Sequence, residues 1–165
     1  MNGDPKLYKI LEELCISFEY YEHPPAPTIE QAKVYWKDLE ATHCKNLFFR
    51  NHKGDKHFLV ILKHTEQLDI HDLEKYLKQG KISFASGQRM MKFLGITSGS
   101  VSPFGLINDV QHHVKVYLDA NLEKSIKISF HPNINTASLV ISFDDFLRYM
   151  NWTENVYEFV QLYDY

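Results

Sequence analysis

The spacing of apolar residues changes several times along the chain, and each change marks an element. Leu7, Ile10, Leu11 and Leu14 recur at three- and four-residue intervals behind Asp4-Pro5. That predicts a helix with an aspartate N-cap and a proline in its first turn. Ser17–Tyr21 reads as a short strand. His23-Pro24-Pro25-Ala26-Pro27 cannot join regular structure, because proline fixes φ and carries no N–H donor. Thr28-Ile29-Glu30-Gln31 then has the form of a capping box and predicts a short helix to about Trp36.

Leu47–Asn51 and His57–Lys63 flank the turn signal Lys53-Gly54-Asp55 and predict an antiparallel hairpin. Ile70, Leu73 and Leu77 place a helix over Asp69–Lys78, stopped at Gly80. Another helix runs from Ser86 or Gly87 to Leu94 and ends at Gly95. Gly95–Asn108 holds three glycines and one proline and predicts a structured loop. Strands at Val114–Leu118, Ile126–Phe130 and Ser138–Ser142 follow. A last helix, Phe146–Met150, is expected behind Asp144 or Asp145, before a tyrosine-rich tail that packs on the domain or mediates self-association. Several strands adjoin without a helix between them, which favours α+β with a mixed sheet over a doubly wound parallel one.

Length and composition fit this picture. A chain of 165 residues with 44% hydrophobic residues suits one domain spanning 1–165 with a sizeable core. Cys15 and Cys44 are too few for a disulfide framework. No basic, apolar leader opens the sequence and no run of 18 apolar residues occurs, so neither a signal peptide nor a membrane helix is expected. A cytoplasmic setting follows. The net charge of −3 argues against a nucleic-acid partner until it is divided along the chain. Residues 45–92 carry 10 Lys and Arg against 5 Asp and Glu, while the segments on either side each carry 4 against 8. A local cationic patch and lysine-rich turns are both compatible with that.

Familiar catalytic signatures are missing: there is no G-x-S-x-G, Walker loop, G-x-G-x-x-G or H-E-x-x-H. The nine histidines are scattered and read as surface residues rather than metal ligands, so no metal or cofactor is expected. Cys44 precedes Lys45, but neighbours in a strand diverge, and a buried, unreactive thiol is the expected state. Two features carry more. Lys45-Asn46 puts a cation at the entrance of an apolar strand. Gly99-Ser100-Val101-Ser102-Pro103-Phe104-Gly105 can aim consecutive N–H groups at an oxyanion or phosphate.

These pieces, in order, resemble the YbaK/ProX family. The resemblance rests on His23-Pro24-Pro25 with Thr28 and Glu30; Lys45-Asn46-Leu47-Phe48; Phe84-Ala85-Ser86; the Gly99–Gly105 loop with Asn108-Asp109; and His131-Pro132-Asn133 with Asn135-Thr136. It runs from about residue 5 to 150 and is closest to the ProX branch, which is similar to the editing insertion domain of bacterial prolyl-tRNA synthetases. Pro27 and Ala41 depart from the residues usual in the family. The resemblance implies a mixed, partly barrel-like sheet flanked by helices. The implied function is that of a trans-editing hydrolase clearing mischarged tRNA(Pro), with Ala-tRNA(Pro) as substrate. Cys-tRNA(Pro) deacylation and a non-catalytic tRNA- or synthetase-binding module are the alternatives.

By the same resemblance the functional lysine maps to Lys45 and the family's G-x-x-x-P loop to Gly99, Ser100, Val101, Ser102 and Pro103. Asn46, Phe48, Phe104, Thr28 and His131 would contact the substrate, and Arg89 would contact the acceptor stem. Partners would be the acceptor end of a mischarged tRNA, with prolyl-tRNA synthetase or an elongation factor as further candidates, and no membrane. Phe48, Ile61, Val101 and Phe104 are candidate pocket walls or ordinary core.

Overall fold

The computed structural model describes residues 1–25, 30, 33, 34 and 40–163. Thr28, Pro27 and most of the helix expected after them lie outside these residues. Eight strands form one mixed sheet in the order β1-β7-β6-β2-β3-β5-β8, with β4 pairing separately with β2. The strands are β1 (Glu19–Glu22), β2 (Thr42–Asn51), β3 (His57–Lys63), β4 (Ile82–Phe84), β5 (Lys115–Asp119), β6 (Lys127–Phe130), β7 (Ala137–Ser142) and β8 (Tyr157–Val160). The helices are α1 (Pro5–Glu13), α2 (Ile70–Leu77), α3 (Gly87–Leu94) and α4 (Phe143–Thr153). The α+β class with a mixed sheet flanked by helices is therefore as the pattern predicts. No helix among the described residues is long and apolar enough to cross a membrane.

Alternation along the central strands divides the interior into two layers. Leu59 and Ile61 of β3, Val116 and Leu118 of β5, and Cys44 and Phe48 of β2 face one layer. That layer is closed by Leu7 and Leu11 of α1, by Phe146, Tyr149 and Met150 of α4, and by Leu94 and Phe104. Phe58, Val60, Leu62, Tyr117 and Phe49 face the other, under Leu73 and Leu77 of α2. Six consecutive residues of β3 are buried, which is why that strand reads as an unbroken apolar run rather than an alternating one.

Local chemistry sets the ends. Asp4 accepts the Lys6 N–H at the start of α1, and Ser86 accepts the Arg89 N–H at the start of α3. Gly95 closes α3 at φ 65°, and its N–H returns to the Met91 carbonyl.

Several boundaries differ from expectation. β2 starts at Thr42, ahead of its apolar run, because its polar opening pairs with β6 and β3. β1 begins at Glu19 rather than Ser17. β4 has three residues, too few to show a period. α2 ends where Lys78 turns left-handed, two residues before Gly80. α4 is capped by Ser142, which accepts the Asp145 N–H, so Asp144 and Asp145 sit in the first turn instead. The loop after α3 contains two 3₁₀ turns, Ser98–Ser100 and Pro103–Asn108. The tyrosine-rich tail contributes a strand: β8 adds to β5 in parallel.

Candidate active site

The pairing of β2 leaves an opening in the sheet. β3 occupies one edge of β2 from Cys44 to Arg50. The other edge is held by β6 at Thr42 and His43 and by β4 from Phe49 to Asn51, with the Ala85 N–H bonded to the Phe48 carbonyl. Between them, over Cys44–Leu47, no strand among the described residues pairs with this second edge of β2. Lys45 and Asn46 lie on this stretch. Continuing the parallel register, in which His43 stands opposite Ser129, sets Lys45 level with His131 just past the end of β6.

The glycine loop meets the turn that follows β6. Asn133, at φ 64°, donates from Nδ2 to the Phe104 carbonyl at 3.3 Å. A Cβ built on Gly99 would stand 3.3 Å from Asn135 Nδ2. Tyr149 Oη donates to the Pro103 carbonyl at 2.8 Å and ties the loop to α4. The structure thus brings Gly99–Pro103, Phe104 and the 131–136 turn together.

Within the loop, several donors are already engaged. Ser100 N–H bonds the Thr97 carbonyl, Phe104 N–H bonds Ser102 Oγ, and Gly105 N–H bonds the Ser102 carbonyl. Proline has no N–H. An oxyanion cradle using all of Gly99–Pro103 is therefore ruled out, and Gly99, Val101 and Ser102 are the positions left to supply donors.

Lys45 and Asn46 face opposite sides of β2. Alternation puts Lys45 on the side of Leu47 and Phe49, and Asn46 on the side of Cys44 and Phe48, where Val101 and Phe104 also pack. Lys45 Nζ donates to the main-chain carbonyl of Glu66 at 2.6 Å. Asn46 Oδ1 is buried without a hydrogen-bond partner, an expensive state for an amide that a ligand donor would relieve. Phe48, Ile61 and Phe104 are sealed in the core at 0–1% exposure, while Val101 keeps 9% and is the most accessible of the proposed walls. Burial pushes the Cys44 thiol well above its usual range, consistent with an unreactive residue.

His131 is partly buried, and its Nδ1 lies 2.8 Å from the Ala137 carbonyl. A carbonyl only accepts, so Nδ1 carries the proton and Nε2 keeps its lone pair in the neutral ring. Burial holds the His131 pKa below its ordinary value. His23, with its ring centroid 5.7 Å away, acts in the same direction, against the Ala137 hydrogen bond.

Arg89 sits elsewhere, at the hairpin between β2 and β3. Its Nη1 is 2.9 Å from the Gly54 carbonyl and 2.9 Å from His57 Nε2. The expectation that the histidines lie on the surface fails here, since His57 is 2% exposed and His43 6%. The signal available in the sequence was the position of His57 at the head of a fully apolar strand. Among the described residues, no group of three or more His, Cys, Asp or Glu side chains is arranged to hold a metal.

Asn46, Val101 and Phe104 therefore share one layer beside the unpaired edge of β2, with Lys45 on the other side of the strand. Residues 23–149 match the aminoacyl-tRNA editing domain, and the chain belongs to that family. It is 36% identical to the prolyl-tRNA editing protein ProX of Acetoanaerobium sticklandii over 92% of this chain and 93% of that one. It is also 35% identical to the mouse (Mus musculus) prolyl-tRNA synthetase associated domain-containing protein 1, over 90% and 89%. A solved structure described as a candidate trans-editing enzyme for prolyl tRNA synthetase superposes with a TM-score of 0.68 at 18% identity, covering 96% of this chain and 98% of that one. That likeness is one of fold.

Proposed function

We propose that this protein hydrolyses the ester of mischarged tRNA(Pro), with alanine as the amino acid removed. The observation that carries the reading is the position of Lys45 and Asn46 on the edge of β2 that β6 leaves unpaired beyond His43, in a chain that matches a prolyl-tRNA editing protein along nearly its whole length.

An aminoacyl ester on a ribose is activated by its neighbouring hydroxyl, so positioned water suffices as nucleophile. Water adds to the ester carbonyl carbon, the bond to the ribose oxygen breaks, and that oxygen leaves with a proton. Free amino acid and uncharged tRNA result. The N–H groups of Gly99, Val101 and Ser102 are the donors for the developing oxyanion. Lys45 binds the 3′-terminal adenosine through phosphate or carbonyl, and Asn46 Oδ1 accepts a donor from the same end. His131, neutral with a free Nε2, holds the water.

Discrimination follows from size. A synthetase built for proline gains only about 1–3 kcal/mol against a ligand missing one methylene, so a second, tighter pocket is needed. Val101, the accessible member of the apolar wall, sets that limit.

The deciding experiment follows deacylation of labelled Ala-, Cys-, Ser- and Pro-tRNA(Pro) and of Ala-tRNA(Ala), with and without prolyl-tRNA synthetase. Selective loss of Ala-tRNA(Pro) is expected. Preferential loss of the Cys ester would reassign the substrate, and binding without hydrolysis of any ester would make the protein a tRNA-binding module.

A further inference from the structure

Beyond the site described above, the described residues hold a second polar constellation, at the hairpin end of β2. His57 is enclosed by Phe48, whose ring stacks at 5.7 Å, and Phe93, at 4.2 Å. Its two nitrogens are both engaged: Nε2 with Arg89 Nη1 at 2.9 Å, and Nδ1 with His113 Nε2 at 2.9 Å. A guanidinium only donates. His57 Nε2 is therefore the acceptor, Nδ1 carries the ring proton, and that proton is donated to His113 Nε2. Directionality is thereby set along the whole chain, from Arg89 through His57 to His113. The far end is anchored as well: the His113 main-chain N–H bonds Asp109 Oδ1 at 3.1 Å, and the His113 ring stacks on Phe93 at 4.5 Å.

This arrangement holds a cation where repulsion would displace it. A Cβ built on Gly54 would lie 3.1 Å from Arg89 Nη2 and 3.3 Å from Arg50 Nη1, so two guanidinium groups crowd one turn. No carboxylate pairs with Arg50, Arg89 or Lys92 among the described residues. Both Nη1 protons of Arg89 are spent on Gly54 and His57, which leaves Nη2 and Nε to face an anion. Arg50 is five residues from Lys45, about 17 Å along a strand. That separation puts the hairpin a few nucleotides back from an ester held at Lys45.

We propose that His57 and His113 are positioning residues for tRNA binding: as a directed pair of neutral imidazoles they lock Arg89 against Arg50, so that its free edge meets a backbone phosphate of the acceptor end. This rests on the editing function proposed above, and the two can fail separately.

The test has two arms. Long-range ¹H–¹⁵N spectra of the wild-type protein at pH 7 report the tautomer of His57. The Nδ1–H form is expected, and an Nε2–H form or an imidazolium would overturn the lock without touching the editing function. The second arm compares His57→Phe, His57→Gln, Arg89→Ala and the double variant His57→Phe/Arg89→Ala in steady-state deacylation. Phenylalanine keeps the stacking and removes both nitrogens, while glutamine restores an acceptor. His57→Phe is expected to raise KM for the tRNA about tenfold, the scale of one hydrogen bond to a charged group, with the loss confined to KM. It should also lower the slope of log affinity against log salt by about one, as for a lost phosphate contact. Glutamine should recover part of the loss, and the double variant should bind no worse than Arg89→Ala. Independent, multiplying losses would overturn the coupling. Wild-type KM in Arg89→Ala would remove Arg89 from the tRNA interface and with it the binding role of the lock.

Discussion

Tyr149 Oη donates to the main-chain carbonyl of Pro103 at 2.8 Å, and both groups are buried. One hydrogen bond thus joins the last helix to the proline of the glycine loop, beside Phe104, whose ring lies edge-to-face with that of Tyr149 at a centroid distance of 5.2 Å. Tyr149→Phe keeps the ring and leaves the Pro103 carbonyl without its donor. The expected loss is about 1–3 kcal/mol of stability by denaturant titration. Deacylation should slow even at temperatures where the variant is fully folded. Unchanged kinetics with lowered stability would separate the loop from the chemistry.

Lys45, the proposed cation of the site, contributes little to the fold. Its ammonium donates to the Glu66 carbonyl, on a partly exposed residue that water can serve in its place. Lys45→Ala should leave stability within about 1 kcal/mol while single-turnover deacylation falls about a hundredfold, the scale of one lost stabilising donor. An unchanged rate would remove Lys45 from the reaction.

Two glycines of the same loop should respond oppositely to alanine. At Gly105 a Cβ would stand 3.0 Å from both the Leu94 Cβ and the Leu94 carbonyl oxygen, with backbone that cannot yield. Overpacking of that kind typically destabilises by about 1–3 kcal/mol. At Gly99 the nearest atom is the end of the Asn135 side chain, 3.3 Å away, which can shift by a few tenths of an ångström. Gly99→Ala should melt near the wild-type temperature yet deacylate more slowly, because it alters the seam between the loop and the 131–136 turn. Paired melting and rate measurements on the two variants check this contrast.

His57 should make the protein acid-sensitive. Burial, then the charges of His113, Arg89, Lys92 and Arg50, pull its pKa down to about 4. Asp55, Lys56 and Lys115 line a cavity together with His57 and His113. The unfolded chain binds this proton below an ordinary histidine value near 6.5, whereas the folded chain refuses it until about 4. Stability is therefore complete above about pH 6.5 and falls as the pH drops towards 4, by up to about 3 kcal/mol. In His57→Phe that part of the slope should vanish. Chemical denaturation at pH 7, 5.5 and 4.5 measures it.

Much of this architecture is visible in the order of side chains. Asp4-Pro5 marks α1, the alternation around Gly54 marks the hairpin, and the five family segments mark the region of the site. Other parts depend on partners distant in sequence. Thr42-His43 becomes strand because β6 lies beside it, and β8 because the edge of β5 is free to receive it. The same holds within the site. That the edge of β2 opens at Lys45 and Asn46 follows from a register with residues some 86 positions away, which ends at His43 and Ser129, and the engagement of Arg89 by Gly54 and His57 requires the hairpin to fold back beneath α3. Thr28, expected at the substrate, falls outside the described residues.

β2 is at once the border between the two apolar layers and the floor of the opening. Side chains alternate across that border, so the sheet acts as a ruler for the chemistry. Inserting or deleting a single residue between Thr42 and Phe48 would exchange Lys45 and Asn46 between layers, drive an ammonium into the layer of Phe48 and Phe104, and unseat Phe49 from its own. A change of length within β2 is thus excluded by the packing on both faces, and the distance from the hairpin arginines to the opening is a whole number of strand residues that the fold cannot adjust piecemeal.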